Sequence, residues 1–159
     1  MRTVKTLAVG AALSCGAALS CGCGSGPDPP PFKPVADVKQ LMLGAIDPSA
    51  DVIWEATGEI ISKEGVLQRR PKNQEEWDAV RNAAIVLTES GNLLMMSPRA
   101  KDGDVWMKRS QEMIDTGQAA WKAAEAKNVD LLFTIGGDVY EACSRCHQEY
   151  MDAIKNANK

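Results

Sequence analysis

The chain has 159 residues and a formal net charge of -3, and 45% of its residues are hydrophobic, which suits one domain with a packed core. It carries no basic patch, so binding to nucleic acid is not predicted. His147 is the only histidine. This excludes histidine-rich metal sites and catalytic schemes that need a second imidazole, and we predict that the protein is not an enzyme.

The first 20 residues have the pattern of an export signal. Arg2 and Lys5 form a positive start, and residues 6–19 are small, apolar and uncharged but too few to span a membrane comfortably. Small residues then precede Cys21, as they do in bacterial lipoprotein signals, where the cysteine becomes the lipidated first residue. We therefore expect a periplasmic lipoprotein that begins at Cys21. Two alternatives stay open, namely Cys23 as the first residue and an ordinary signal peptide cut near the same place.

The segment that follows predicts a linker and then a domain. Residues 21–34 are rich in glycine and proline and cannot form a core, so we expect a semi-rigid tether to the membrane. The folded domain is predicted over residues 35–159.

The first part of this domain shows the spacing of an amphipathic helix. Pro48 interrupts the pattern, because its ring clashes with the carbonyl four residues earlier, that of Gly44. Alternatively, Asp47 caps a new helix there. We expect a kink or short break at this point, and later a polar connection without strands over residues 62–72. The predicted inward stripe consists of Val38, Met42, Ala45, Ser49, Ile53, Ala56 and Ile60.

Three more helices are predicted from periodicity and from residues that start or stop helices. The second begins with a variant of the capping box and ends before a Ser-Pro pair, and the third and fourth follow after short connections. Four amphipathic helices with short connections predict an all-α protein, an antiparallel four-helix bundle. The expected boundary residues are Asn73 with Glu76, Met96 before Ser97-Pro98, Asp104, and Asn128.

A five-residue motif near the end of the chain carries the chemistry. The sequence Cys143-Ser144-Arg145-Cys146-His147 is the C-x-x-C-H signature of c-type haem attachment. On a helix, residues 143, 146 and 147 share one face. Two thiols in this arrangement form thioethers to the two haem vinyl groups, and the imidazole coordinates the iron. We predict one covalent haem c on the last helix.

Other interpretations of the motif fit the chain less well. A thioredoxin-type dithiol needs a strand–helix junction that the pattern does not show, and a zinc site needs four ligands. A disulfide across one helical turn would be strained. Gly136, two turns before Cys143, has two open interpretations: it lets a flat ring approach the backbone, or, with Gly137, it gives a kink or a helix–helix contact.

With this motif on a fourth helix, the chain resembles the class II cytochromes c, the cytochrome c′ and cytochrome c-556 group. The resemblance extends over residues 35–159, and its specific part is the stretch from Cys143 to Tyr150. It implies a four-helix bundle in which Cys143 and Cys146 attach haem and His147 is the axial ligand. Met151 departs from the group, where a basic residue is common, and this argues against proximal nitric oxide chemistry.

Two functions follow from the resemblance. The first is periplasmic electron transfer, with Met42 as the sixth iron ligand, since a methionine in the first helix fills that role in the six-coordinate members. A thioether is also neutral and soft, and it pairs with histidine in cytochromes. The alternative is a five-coordinate haem that binds NO or CO, with Met42 only filling core space. Expected partners are redox proteins and the membrane, and a homodimer is one expected assembly.

Overall fold

The computed structural model describes residues 31–157, and the side chains of residues 31–151. The predicted signal peptide, the lipidation site at Cys21, the alternative at Cys23 and most of the tether lie outside these residues. Among the helices of the described residues, none is both long enough and apolar enough to cross a membrane.

The first helical run has three parts: α1 (Val38–Leu41), a π-helical turn (Met42–Ile46) and α2 (Asp47–Glu55). Asp37 begins it with a capping box, in which its carboxylate accepts from the N–H of Gln40. The expected interruption at Pro48 is the π turn just before it, in which the N–H of Asp47 bonds to the carbonyl of Met42. The extra residue accommodates the proline within a continuous helical run. The alternative of a fresh helix capped by Asp47 is therefore wrong.

A β-hairpin follows, and here the prediction of a polar connection without strands is wrong. Strands β1 (Gly58–Ser62) and β2 (Gly65–Arg69) pair in antiparallel register, with Ile60 opposite Leu67. Both strands begin at glycines with φ of +132° and +133°, a region that other residues rarely adopt. Ile60, expected in the buried helical stripe, lies in β1 and is 46% exposed. Both strands are almost wholly exposed, so no alternation of apolar and polar residues marks them in the sequence.

The next three helices begin close to the predicted residues. They are α3 (Gln74–Met95), α4 (Val105–Glu125) and α5 (Val129–Ala157). Asn73 caps α3 by accepting from the N–H of Glu76 at 2.9 Å, but the Glu76 carboxylate accepts from Lys72 instead of completing the box. Asn128 accepts from the N–H of Leu131 at 3.0 Å at the start of α5.

The helices pack around one apolar core. α3 lies along α4, α4 lies along α5, and α2 contacts both α3 and α5. The closest approach is between α3 and α4, since a Cβ at Gly117 would lie 2.6 Å from Oγ1 of Thr88 and 3.0 Å from its backbone nitrogen. The described residues are thus mostly helical with one small two-stranded sheet, which is compatible with a helical bundle. Fully buried side chains at its centre include Ile53, Leu87, Leu132 and Val139.

Candidate functional site

The C-x-x-C-H motif lies within α5, where the backbone is helical throughout. Cys143 therefore lies about one turn before Cys146 and His147, and the three residues share a face. All three are partly buried, and both cysteines are free thiols. The predicted geometry of the motif, with three side chains side by side on a helix, is what the structure has.

Two cavities adjoin at this face. The smaller has a volume of 130 Å³ and the larger one of 740 Å³. The residues that line both are Met42, Asp47, Cys146 and His147. The larger volume falls within the range of about 300–1,000 Å³ that small-molecule and cofactor sites occupy. The motif thus opens into a space of the size that a cofactor needs.

Met42 contributes to the walls of both cavities from the π turn of the first helical run. The fold thus brings the predicted sixth ligand and His147 to one site, although 105 positions separate them in the sequence. Two other methionines line only one cavity each, Met113 the smaller and Met151 the larger. The assignment of Met42 as an iron ligand stays a prediction, with Met113 as the natural comparison.

The two thiols lie in surroundings that keep them protonated. Burial raises the pKa of Cys143 to about 11, and the nearby Cys146 and Asp47 add to the effect. The pKa of Cys146 is also raised, first by burial and then by the Glu149 carboxylate. Dithiol redox sites lower the pKa of the attacking cysteine with neighbouring positive charge or a helix N-terminus. For this pair burial outweighs the positive charge of Arg109, and both pKa values are raised instead.

Comparison with protein-family models, curated proteins and solved structures finds no match for this chain. The function of the site is therefore inferred from its own residues. Two cysteines and one histidine lie on one helix face, and a methionine of the first helical run lines the same cavities.

Gly136 serves a helix–helix contact. Its carbonyl accepts a hydrogen bond of 2.9 Å from Nε1 of Trp54, and a Cβ at this position would lie 3.7 Å from the Trp54 ring. Trp54 itself lines the smaller cavity and packs edge-on against Tyr140, whereas Gly136 lines neither cavity. Of its two interpretations, the contact between helices is the one that the structure has.

An ion-pair network holds α5 against α4 around the motif. Nη2 of Arg109 donates to Glu149 at 2.7 Å and Nη1 donates to Glu112 at 2.9 Å. Arg145, within the motif, reaches Glu112 at 3.4 Å. The hydrogen bond from Arg109 lowers the pKa of the Glu149 carboxyl. Because Arg145 and Glu149 flank Cys146 on α5, the network sets the position of Cys146 relative to α4. Arg109 also lines the smaller cavity.

A second contact fixes the turn after His147. The Tyr150 hydroxyl donates to Oδ2 of Asp102, and its ring packs edge-on against Trp106 at 4.9 Å. Asp102 also accepts from the N–H of Trp106 at 2.7 Å in the first turn of α4, whose N-cap residue is Asp104. The hydrogen bond from Tyr150 lowers the pKa of Asp102, while burial and that carboxylate raise the pKa of Tyr150.

The sequence did not show that Arg109 and Asp102 belong to the site, or which residues Glu149 and Tyr150 contact. Glu149 and Tyr150 lie two and three positions after His147, within the stretch that carries the family resemblance. Their partners lie 40 and 48 residues away, Arg109 on α4 and Asp102 in the connection before it. Periodicity within one helix contains no information about such pairs.

Proposed function

We propose that this chain is a c-type haem protein of the class II cytochrome c group, a four-helix bundle that transfers single electrons in the periplasm. The observation that carries the proposal is the placement of Cys143, Cys146 and His147 on one face of α5, where Cys146 and His147 line both cavities.

The residues at this face fit a haem of the c type. Both thiols are free for thioether formation with the two vinyl groups, and the imidazole one position further has a nitrogen for iron. The adjoining walls are largely apolar, with Ile46, Ala50 and Leu94 in the smaller cavity. When bound, the haem supplies the one-electron chemistry of its iron, and the protein supplies orientation and electrostatics.

Met42 supports electron transfer over gas binding. Met42 lines both cavities that His147 lines, and this supports a neutral soft donor at the site where a gas-binding protein needs an open position. A methionine ligand opposite histidine raises the reduction potential. The apolar side chains of the smaller cavity would favour the less charged, reduced iron of a bound haem.

The site is proposed to work close to a membrane. In this proposal residues 1–20 export the chain, a lipid on Cys21 anchors it, and residues 21–34 form the tether. Confinement near the membrane raises the effective concentration of redox partner proteins there.

The deciding experiment is expression of the full chain in a host with a cytochrome c maturation system. We expect a band that keeps its haem peroxidase stain on a denaturing gel, and Cys146→Ala should reduce the stain strongly. The ferric wild type should have a low-spin visible spectrum. A colourless band would contradict haem attachment, whereas a stained band with a high-spin ferric spectrum would contradict electron transfer and favour the binding of NO or CO.

A further inference from the structure

Arg99 is a buried cation in the connection between α3 and α4. It is only 7% exposed, and it lines the larger cavity together with His147. Its Nε donates to the carbonyl of Ala36 at 2.9 Å and its Nη1 donates to the carbonyl of Leu93 at 3.1 Å. These two bonds hold the guanidinium against the segment before α1 and the end of α3, so its position is set by the fold.

The charge of Arg99 has no anionic partner among the side chains of residues 31–151, where no carboxylate lies within 4 Å of its guanidinium. Backbone carbonyls are neutral acceptors, and burying an ionised group is costly unless an opposite charge compensates it. A guanidinium has five N–H donors in a planar fork that matches a carboxylate. Arg99 is therefore equipped for an anion that the protein itself does not provide.

None of the other ionisable groups around the larger cavity is an anionic partner for Arg99 or a second buried cation. Asp37 is engaged in the capping box of α1, and Asp47 is exposed. Lys39 and Lys101 are exposed cations, which water solvates. The remaining ionisable groups of the wall, all on α5, are Cys146, His147 and Tyr150. Arg99 is thus the buried positive charge of this wall.

We propose that Arg99 binds a carboxylate of the molecule that fills the larger cavity, namely a propionate of the covalently attached haem. This inference rests on the proposed function. A haem joined through its two vinyl groups to Cys143 and Cys146 keeps two propionates, which are anionic at neutral pH. A propionate compensates the charge of Arg99 through charge-assisted hydrogen bonds. Arg99 in turn offsets the free-energy cost of burying that carboxylate. Because a nearby cation favours the reduced iron, Arg99 also raises the reduction potential.

The test uses three variants of the full haem-loaded protein, and its two readouts do not depend on electron-transfer activity. The first is the resonance Raman band of the propionate bending vibration, whose frequency responds to hydrogen bonds on the carboxylate. The second is the midpoint potential. Arg99→Gln removes the positive charge, and Arg99→Lys keeps the charge but removes the planar guanidinium. The lysine variant can still be measured if the glutamine variant does not fold. Lys101→Gln is the matched control, a cation on the same cavity that is exposed.

We expect Arg99→Gln to shift the propionate band and lower the midpoint potential, and Arg99→Lys to shift the band with a smaller fall in potential. Lys101→Gln should leave the band in place and change the potential less. An unshifted band in both Arg99 variants, or equal effects of Arg99→Gln and Lys101→Gln, would overturn the inference while leaving haem attachment intact. A wild type without covalent haem would overturn both, and the haem stain separates the two cases.

Discussion

Nε1 of Trp54 donates a hydrogen bond of 2.9 Å to the backbone carbonyl of Gly136 on a helix 82 residues further along the chain. Trp54 also lines the smaller cavity, so this bond fixes the distance between α2 and α5 beside Cys143. A tryptophan that is mostly apolar but has one polar atom suits this position, because the ring packs while the N–H finds an acceptor.

Replacing Trp54 with Phe removes this hydrogen bond. We expect the free energy of unfolding to fall by about 0.5–1.5 kcal/mol for the bond, with a further loss from the smaller ring. Urea unfolding of the haem-loaded protein measures the change. Trp121→Phe is the matched control, since Nε1 of Trp121 bonds to Glu125 at 2.8 Å within one exposed helical turn. Equal losses in the two variants would contradict a special role for the Trp54 bond.

Met42 and Met113 can be separated by their spectra. Met42→Ala should convert the ferric protein from low spin to high spin, because it removes the proposed sixth ligand. Met113→Leu should keep the low-spin spectrum, since leucine preserves the volume of a buried residue that is 6% exposed and lines only the smaller cavity. If the effects are reversed, Met113 is the ligand. A low-spin spectrum that neither variant changes would rule out both methionines.

The close approach of α3 and α4 predicts a large difference between two glycine variants. Gly117→Ala places a Cβ 3.0 Å from the backbone nitrogen of Thr88, so a helix must shift. We expect a loss of about 1–3 kcal/mol in the free energy of unfolding. Gly137→Ala, at an exposed helical position with no atom within 4 Å of the new Cβ, should instead gain up to about 1 kcal/mol. If urea unfolding finds no change in the free energy of unfolding for Gly117→Ala, the two helices can move apart at this contact without a loss of stability.

The pair of Tyr150 and Asp102 predicts a stability difference that depends on pH. In the folded protein the pKa of Asp102 is lowered by Tyr150, so its contribution is present above its ordinary pKa of about 4 and is lost as pH falls through the folded value. The pKa of Tyr150 is raised, so its contribution is complete below its ordinary pKa of about 10 and is lost as pH rises towards the folded value.

Tyr150→Phe should therefore lower the melting temperature most between these limits, and the wild type and the variant should converge in acid and in alkali. Thermal unfolding followed by circular dichroism across this pH range provides the measurement. Tyr140→Phe, at a tyrosine that is 59% exposed, is the control and should differ little from wild type. A constant difference between Tyr150→Phe and wild type at all pH values would show that the two groups are not linked.

Lipidation can be assigned to one cysteine by intact-mass measurement of the membrane fraction. We expect a mature chain that begins at a diacylated Cys21, because the apolar run and the small residues lead directly to it. Cys21→Ser should release the protein from membranes, and Cys23→Ser should not. An unmodified soluble chain that begins after Cys23 would exclude the anchor.

Local signals in the sequence predicted the three long helices and the geometry of the motif. Asn73 and Asn128 cap the predicted helices, and the spacing of Cys143, Cys146 and His147 puts them on one helical face. These features depend on residues three or four positions apart, and helix geometry alone relates such residues. The π turn before Pro48 and the hairpin over residues 58–69 were harder to predict, because each is short and lies next to a stronger helical pattern.

Which residues line the site is determined by the tertiary structure and not by local sequence patterns. Three features of the site depend on how each helix is rotated about its axis and on which helices become neighbours. They are the lining of one cavity by both Met42 and His147, the carboxylates that bind Arg109, and the burial of Arg99 without an acidic partner. These choices follow from packing the whole core, in which side chains distant in sequence must fill space together. A single sequence shows which face of a helix is apolar, but the neighbour that covers this face is selected only when all helices pack at once.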